Sequence, residues 1–309
     1  MRGPRAIPPC NSYSKSMPDP LGLIAGEGVF PVLVAQGAHA AGRKVVCAAL
    51  SGHAWEDLRD FVDVYEPVGV LRLNTWIDVL KKGGCSEAIM VGRVAKSQMY
   101  DRWRYLRYIP DTRTVRLFWN VWRHDKRPQA FLQAVIDELA SAGIQLIDST
   151  QYTPEHLTPP GVLTKKQPTE QQWLDIAAGY EICRKISQMD VGQCIAVIDR
   201  DVIAVEALEG TNLMIERAGK LCPKGGWTLI KVANTYQDMR VDVPSIGTTT
   251  IEKLHANHCT CVVLDAGKTI MLERPKVIEL ADRYKMAVVG IDEAMIQKMT
   301  NDQAPMTNQ

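Results

Sequence analysis

Residues 21–50 read LGLIAGEGVFPVLVAQGAHAAGRKVVCAAL, and three patterns follow one another in them. LGLIA (21–25) is an unbroken apolar run of strand length. Gly26-Glu27-Gly28 is a turn. FPVLVAQGAHAAG (30–42) then repeats its apolar residues at helical spacing, and KVVCAAL (44–50) is a second apolar run. Strand, helix and strand in close succession predict a β-α-β unit, which feeds a parallel sheet with helices on its faces.

Outward from this unit the alternation continues. Residues 74–82 have helical spacing, and EAIMVGRV (87–94) reads as a strand. FLQAVIDELASAG (131–143) is a helix stopped by Gly143, and IQLIDS (144–149) follows as a strand. Four prolines fall in YTPEHLTPPGVLTKKQP (152–168), too dense for a helix or central strand. They predict a linker at 153–168 between an N-terminal domain (21–152) and a C-terminal one (169–297). Thr169 with Gln172 forms a capping box opening a helix that runs to about Ser187. GQCIAVID and VIAVEAL flank Arg200-Asp201, and EGTN (209–212) opens a helix. A polar loop, NTYQDMRVDVPSIG (234–247), leads to the helix TTTIEKLHAN. CVVLDAG (261–267) and TIMLE (269–273) read as a hairpin pair, PKVIELADRYK as a helix, MAVVGI as the strand closing the sheet, and 298–309 as a polar tail. The fold class is α/β in two domains.

Composition narrows the function. The chain has 309 residues, 46% hydrophobic and 23% charged, with a formal charge of +1. That is a globular balance, and it argues against a protein devoted to coating nucleic acid. Residues 1–20 carry Arg, Ser and Pro but no apolar core of a secretory signal, so they read as a disordered extension. Eight irregularly spaced cysteines suit a reducing, cytoplasmic setting.

Four groups could carry chemistry. Gly26-Glu27-Gly28, between a strand and a helix, could present backbone N–H groups to a phosphate, or could be a turn that needs glycine. The residues argue against a nicotinamide fingerprint, because Pro31 stands where its third glycine belongs and Leu50-Ser51-Gly52-His53 offers no acid. Residues 101–127 hold eight basic and three acidic side chains interleaved with Trp, Tyr and Phe. They suit an anionic membrane surface or amphiphile, single-stranded nucleic acid, or an amphipathic face with Trp and Leu packed inward. His255, His258, Cys259 and Cys261 have donor chemistry for zinc but no finger or ribbon spacing, so core thiols are the better reading. The densest polar cluster gathers Glu206, Glu209, Lys231, Gln237, Asp238, Arg240 and Asp242. If the loop is extended, Asp238, Arg240 and Asp242 share one side. Carboxylates beside a guanidinium suit a hard cation plus a phosphate, or a solvated loop with surface ion pairs.

GLIAGEGVFP (22–31), GVLT (161–164), DVGQ (190–193), VEALEGTN (205–212) and QDMRVDVPSIG (237–247) together resemble the LpxI family, the UDP-2,3-diacylglucosamine pyrophosphatases of lipid A biosynthesis. The likeness runs from about Leu21 to Asp292. It implies a Rossmann-like N-terminal domain, a C-terminal α/β domain, and a site in the cleft. It implies Mg²⁺-dependent hydrolysis to UMP and 2,3-diacylglucosamine 1-phosphate at the inner membrane, by a homodimer that needs no nucleic acid. Asp242 matches the family's critical aspartate, as metal ligand or orienter of the attacking water. Asp238 and Arg240 join it as catalytic candidates, and Asp238 and Glu209 as further Mg²⁺ ligands. Gly26, Glu27, Gly28, Lys231, Gln237, Thr211 and Asn212 are the substrate-binding candidates.

Three positions depart from the family. Asn212 stands where Asp is usual, Asn234-Thr235 where Lys-Pro is, and His124-Asp125-Lys126 where Gly-Asp-Asp is. They keep open an alternative, a non-catalytic nucleotide-sugar or lipid-binding protein derived from the family.

Overall fold

The computed structural model describes residues 18–52, 54–94, 109–124, 128–233, 239–241 and 243–302. Residues 1–17, His53, residues 101–108 of the basic aromatic segment and Asp125-Lys126 lie outside them. So do Asn234, Thr235, Gln237, Asp238, Asp242 and the end of the expected tail.

The N-terminal half is a parallel sheet. β1 (Leu21–Ala25), β2 (Val45–Leu50), β3 (Val64–Val68), β4 (Glu87–Val91) and β5 (Gln145–Leu146) lie in the order β3-β2-β1-β4-β5. Every residue of β1 and β2 is buried, as inner strands with helices on both faces must be. Alternate residues feed opposite cores: Leu21, Leu23 and Ala25 one, Ile24 the other. α1 (Phe30–Ala40) has Pro31 in its first turn. α2 (Leu73–Lys82), α3 (Thr112–Trp122) and α4 (Pro128–Ser141) follow. Asp111 serves two of them, accepting from Thr114 N–H at 2.8 Å as cap of α3 and from Asn74 N–H at 2.6 Å in α2.

Two strands are shorter than their apolar runs. The run 87–94 leaves the sheet at Gly92, whose φ is +96°. The run 144–149 pairs only at Gln145–Leu146, because Asp148 turns back on Thr150 N–H at 2.7 Å.

The C-terminal half is a mixed sheet. β6 (Gly161–Val162), β7 (Cys194–Ile198), β8 (Asp201–Val205), β9 (Thr228–Lys231), β11 (Cys261–Asp265) and β13 (Ala287–Ile291) lie in the order β6-β13-β11-β9-β7-β8. β9, β11 and β13 are mutually parallel, and their neighbours on either side antiparallel. α5 (Glu170–Gln188) opens with the Thr169–Gln172 capping box, both bonds formed. α6 (Thr211–Leu221), α7 (Thr248–Ala256) and α8 (Arg274–Arg283) supply residues to the core on one face, and α5 and α9 (Glu293–Asp302) to the other.

Three expectations change here. Residues 261–267 and 269–273 are not a hairpin: Thr269 N–H donates to Asp265 C=O at 3.1 Å and turns the chain out of the sheet. β12 (Ile270–Met271) then pairs with β10 (Ser245–Ile246) in a separate two-stranded ladder. MAVVGI does not close the sheet, since β6 from the proline-rich segment lies outside it. A Cβ on Gly290 would stand 1.9 Å from Pro159 C=O, so this seat needs glycine. The helix α9 also continues to Asp302, past the expected start of the polar tail.

The proline-rich segment is bonded to the C-terminal half. Thr158 N–H donates to Thr269 C=O and Gly267 N–H to Thr158 C=O, both at 2.8 Å. From the other side, Val241 packs against the N-terminal core cluster that holds Leu80 and Leu139.

Candidate functional site

The site grows from one row across the C-terminal sheet. Cys194 opens β7, directly opposite Lys231 at the end of β9. On its other side Glu206 N–H donates to Cys194 C=O at 2.8 Å, just past the end of β8. Residues in one row project to one face, so Glu206 and Lys231 flank the small Cys194 side chain. All three are buried. Burial pushes the Cys194 thiol well up; Glu206 adds to the rise and Lys231 opposes it. The thiol stays protonated and takes no charge of its own.

Helix starts close this row. Thr211, in the first turn of α6, donates its hydroxyl to Glu206 Oε1 at 2.7 Å. Lys231 Nζ donates to Ser245 C=O at 3.3 Å, two residues before the cap of α7. Gly192 makes room for the row, because a Cβ there would stand 2.0 Å from Glu206 C=O. The other carboxylate of this segment, Glu209, is turned outward into an ion pair with Arg217. Its own backbone N–H and that guanidinium hold its carboxyl below the usual carboxylate range. Asn212 is exposed beside Thr211.

The polar loop after β9 is gripped at both described ends. Asp265 Oδ2 accepts Ala233 N–H at 2.9 Å, and its Oδ1 accepts the Tyr180 hydroxyl at 2.6 Å. Asp265 is itself buried. Beyond residues 234–238, Met239, Arg240 and Val241 form a turn, so the extended backbone expected for this loop does not hold there. Arg240 is half-buried. Met239 C=O accepts from Ser149 of the N-terminal half. Gln237, Asp238 and Asp242 lie outside the described residues.

The glycine turn after β1 sits where the order of strand addition reverses, between β1 and β4, the place where open α/β sheets bind ligands. Its donors are largely committed. Gly26 N–H donates to Val91 C=O and Glu27 N–H to Arg93 C=O, each at 2.8 Å, and Arg93 N–H returns to Glu27 C=O at 2.9 Å. Gly26 lies against Gly92 so closely that a Cβ on either would meet backbone under 3 Å. Gly28, with φ of +114° and nothing near its Cβ position, is the open part of the turn.

At Trp119, helix α3 departs from the inward packing that is one of the three readings of this segment. Leu117 is buried, but Trp119 is 60% exposed and Val115 and Phe118 are also exposed. Trp119, Val115, Arg116, Thr112 and Pro110 line a shallow groove. Among the described residues no helix is long and apolar enough to cross a membrane. The His255–Cys261 segment behaves as core: Cys259 and Cys261 are buried, and burial pushes the Cys259 thiol up to about 12. His255 stacks on Tyr284 at 3.8 Å.

Comparison with known proteins bears on most of the chain. The profile of the LpxI N-terminal domain matches residues 20–156, and that of the LpxI C-terminal domain residues 159–289. The chain belongs to the LpxI family. It is 29% identical over 280 residues to "UDP-2,3-diacylglucosamine pyrophosphatase LpxI" of Caulobacter vibrioides, covering 88% of this chain and 97% of that protein.

In this LpxI chain the motifs DVGQ and VEALEGTN are one structural unit, Gly192 of the first lying against Glu206 of the second. Sequence reading singled out Glu206 without giving it a role, and missed Asp265, Tyr180 and Ser149. Asp265 had a signal, an acid ending an otherwise apolar buried strand, CVVLD. Ser149 had none. A hard divalent cation takes oxygen donors. Among the described residues no three His, Cys, Asp or Glu side chains gather as a metal-holding group. Glu206 nonetheless fits such an ion, because its Oε2 is cut off from water and has no hydrogen-bond partner.

Proposed function

We propose that this chain hydrolyses UDP-2,3-diacylglucosamine to UMP and 2,3-diacylglucosamine 1-phosphate, a Mg²⁺-dependent step of lipid A biosynthesis. The observation that carries the reading is the match of both LpxI domains, in order, along nearly the whole chain. The relative's activity and the polar row at the strand ends support it.

In this mechanism the substrate diphosphate is bound beside this row. The buried Lys231 ammonium faces a phosphoryl oxygen, where low dielectric strengthens its hold on developing charge. Arg240 clamps a second oxygen, and Gln237, Thr211, Asn212, Glu27 and Gly28 place the nucleotide sugar. Gly26 contributes by seating that turn against Gly92 rather than by donating. Asp242 and Asp238 orient the attacking water. The water oxygen bonds to one phosphorus, the bond to the bridging oxygen breaks, and two phosphomonoesters leave. Mg²⁺, held by Asp242, Asp238 and a glutamate of the 205–212 motif, supplies neutralisation of the diphosphate charge when bound.

The apolar face of α3 fits the acyl end of the reaction. Trp119, Phe118 and Val115 face outward with Arg116 and Arg123 among them, and Arg123 lies over the Trp119 ring at 4.7 Å. Aromatic rings and arginines suit an anionic bilayer surface, which supports a reading in which the protein works at the cytoplasmic face of the inner membrane. The family resemblance adds a homodimer, tested by light scattering of the purified chain.

The activity is tested by incubating the full chain with UDP-2,3-diacylglucosamine in mixed micelles and following UMP, with and without EDTA. UMP formed only in the absence of chelator supports the reading. Substrate bound but recovered whole moves the assignment to the non-catalytic binder.

A further inference from the structure

Glu206 is the one carboxylate among the described residues with an oxygen shut off from water and left without a partner. The residue is only 8% exposed. Its Oε1 is held by the Thr211 hydroxyl at the start of α6, so one oxygen is fixed while the other, Oε2, is left enclosed and without a partner. An ionised carboxylate kept from water needs a compensating partner.

The surroundings select that partner. A phosphate placed against the start of α6 would meet a fixed negative charge, so the helix end by itself is a poor anion site here. Lys231, across the narrow Cys194 side chain, is also buried and donates to Ser245 C=O over a long 3.3 Å. A negative and a positive group, two strands and therefore roughly 10 Å apart at the backbone, match a ligand carrying both signs. A divalent cation riding on a diphosphate is such a ligand. A hard ion takes the carboxylate oxygen, and a phosphoryl oxygen takes the ammonium.

We infer that Glu206, rather than the outward-paired Glu209, is the carboxylate of the 205–212 motif that holds the divalent cation, with Lys231 on the phosphate side. The identity of the anion rests on the diphosphatase reading; the cation ligand does not. The Thr211 hydroxyl is then committed to aiming Glu206, and Thr211 meets the nucleotide sugar only through its backbone.

The test is Mn²⁺ binding to the full chain, read by electron paramagnetic resonance, alone and with UDP. Glu206→Gln keeps the Thr211 bond and removes the charge. It should weaken Mn²⁺ binding about tenfold or more while melting stays near wild type. Glu216→Gln, which removes a surface partner of Lys253, serves as the control and should bind as wild type. Mn²⁺ affinity unchanged in Glu206→Gln would overturn the assignment, as would a loss confined to Glu209→Gln. Should Glu206→Gln fail to fold, Mn²⁺ added to the labelled wild type decides. Broadening centred on the amides of Glu206, Thr211 and Val232 supports the site, and broadening centred elsewhere contradicts it. Turnover of UDP-2,3-diacylglucosamine is measured separately. Glu206-dependent Mn²⁺ binding without turnover would remove the diphosphatase reading and leave the cation site standing.

Discussion

Ser149 holds Met239 C=O twice, through its backbone N–H at 3.1 Å and its hydroxyl at 2.7 Å. The two residues belong to different halves of the chain, and Met239 stands between Asp238 and Arg240. Ser149 is buried, so water does not compete for these bonds. A loop of the C-terminal half is thus positioned by the N-terminal half, with Val241 packed behind it. Ser149→Ala removes the hydroxyl bond, worth about 1 kcal/mol. We expect kcat/KM to fall about fivefold with a melting shift of a few degrees, measured by steady-state assay beside calorimetry. A variant that melts like wild type and turns over at the wild-type rate would detach this contact from the site.

Asp265 grips the other end of the same loop, through Ala233 N–H and the Tyr180 hydroxyl. Asp265→Ala leaves two buried donors without an acceptor, at about 1–3 kcal/mol each. Urea unfolding should show a loss of about 3 kcal/mol. Asp265→Asn can still accept one of the two bonds and should lose less.

The exposed face of α3 predicts a binding phenotype without a stability phenotype. Trp119 is exposed and its removal opens no core cavity. Trp119→Ala should cut sedimentation with anionic phospholipid vesicles several-fold while unfolding changes by less than about 0.5 kcal/mol. Equal binding to neutral and anionic vesicles would contradict the role given to Arg116 and Arg123.

Acid stability has a contributor in Asp63. The Val45 backbone N–H, then His39 and Lys44, hold its carboxyl below the usual range. A folded value below the unfolded one, about 3.9, stabilises the protein above that pH and is lost as pH falls through the folded value. Thermal melts of Asp63→Asn should therefore decline less steeply than wild type below about pH 4. His39 and Asp63 are partly exposed, so the difference should be small and salt-sensitive.

The α/β architecture was legible because buried parallel strands must read as apolar runs. LGLIA, KVVCAAL and MAVVGI all became inner strands. Pairing was less legible: CVVLDAG and TIMLE look like hairpin partners in sequence, and only the Asp265–Thr269 turn sends the second run to β10. At the site, the polar clustering and the family resemblance pointed to the VEALEGTN segment but did not separate its two acids. β8 ends at Val205, so Glu206 stays inside the row while Glu209 swings out to Arg217. The outward Trp119 was hidden for a similar reason, since helical periodicity finds an apolar stripe without saying which stripe faces the core. Leu117 and Thr114 took that place.

Asp242 carries the central claim. Wild type and Asp242→Ala should be incubated with UDP-2,3-diacylglucosamine and Mg²⁺, and the products read by mass spectrometry, with circular dichroism confirming that both are folded. UMP and 2,3-diacylglucosamine 1-phosphate from wild type, and intact substrate from the folded variant, are the predicted result. Products from folded Asp242→Ala at the wild-type rate would contradict the account.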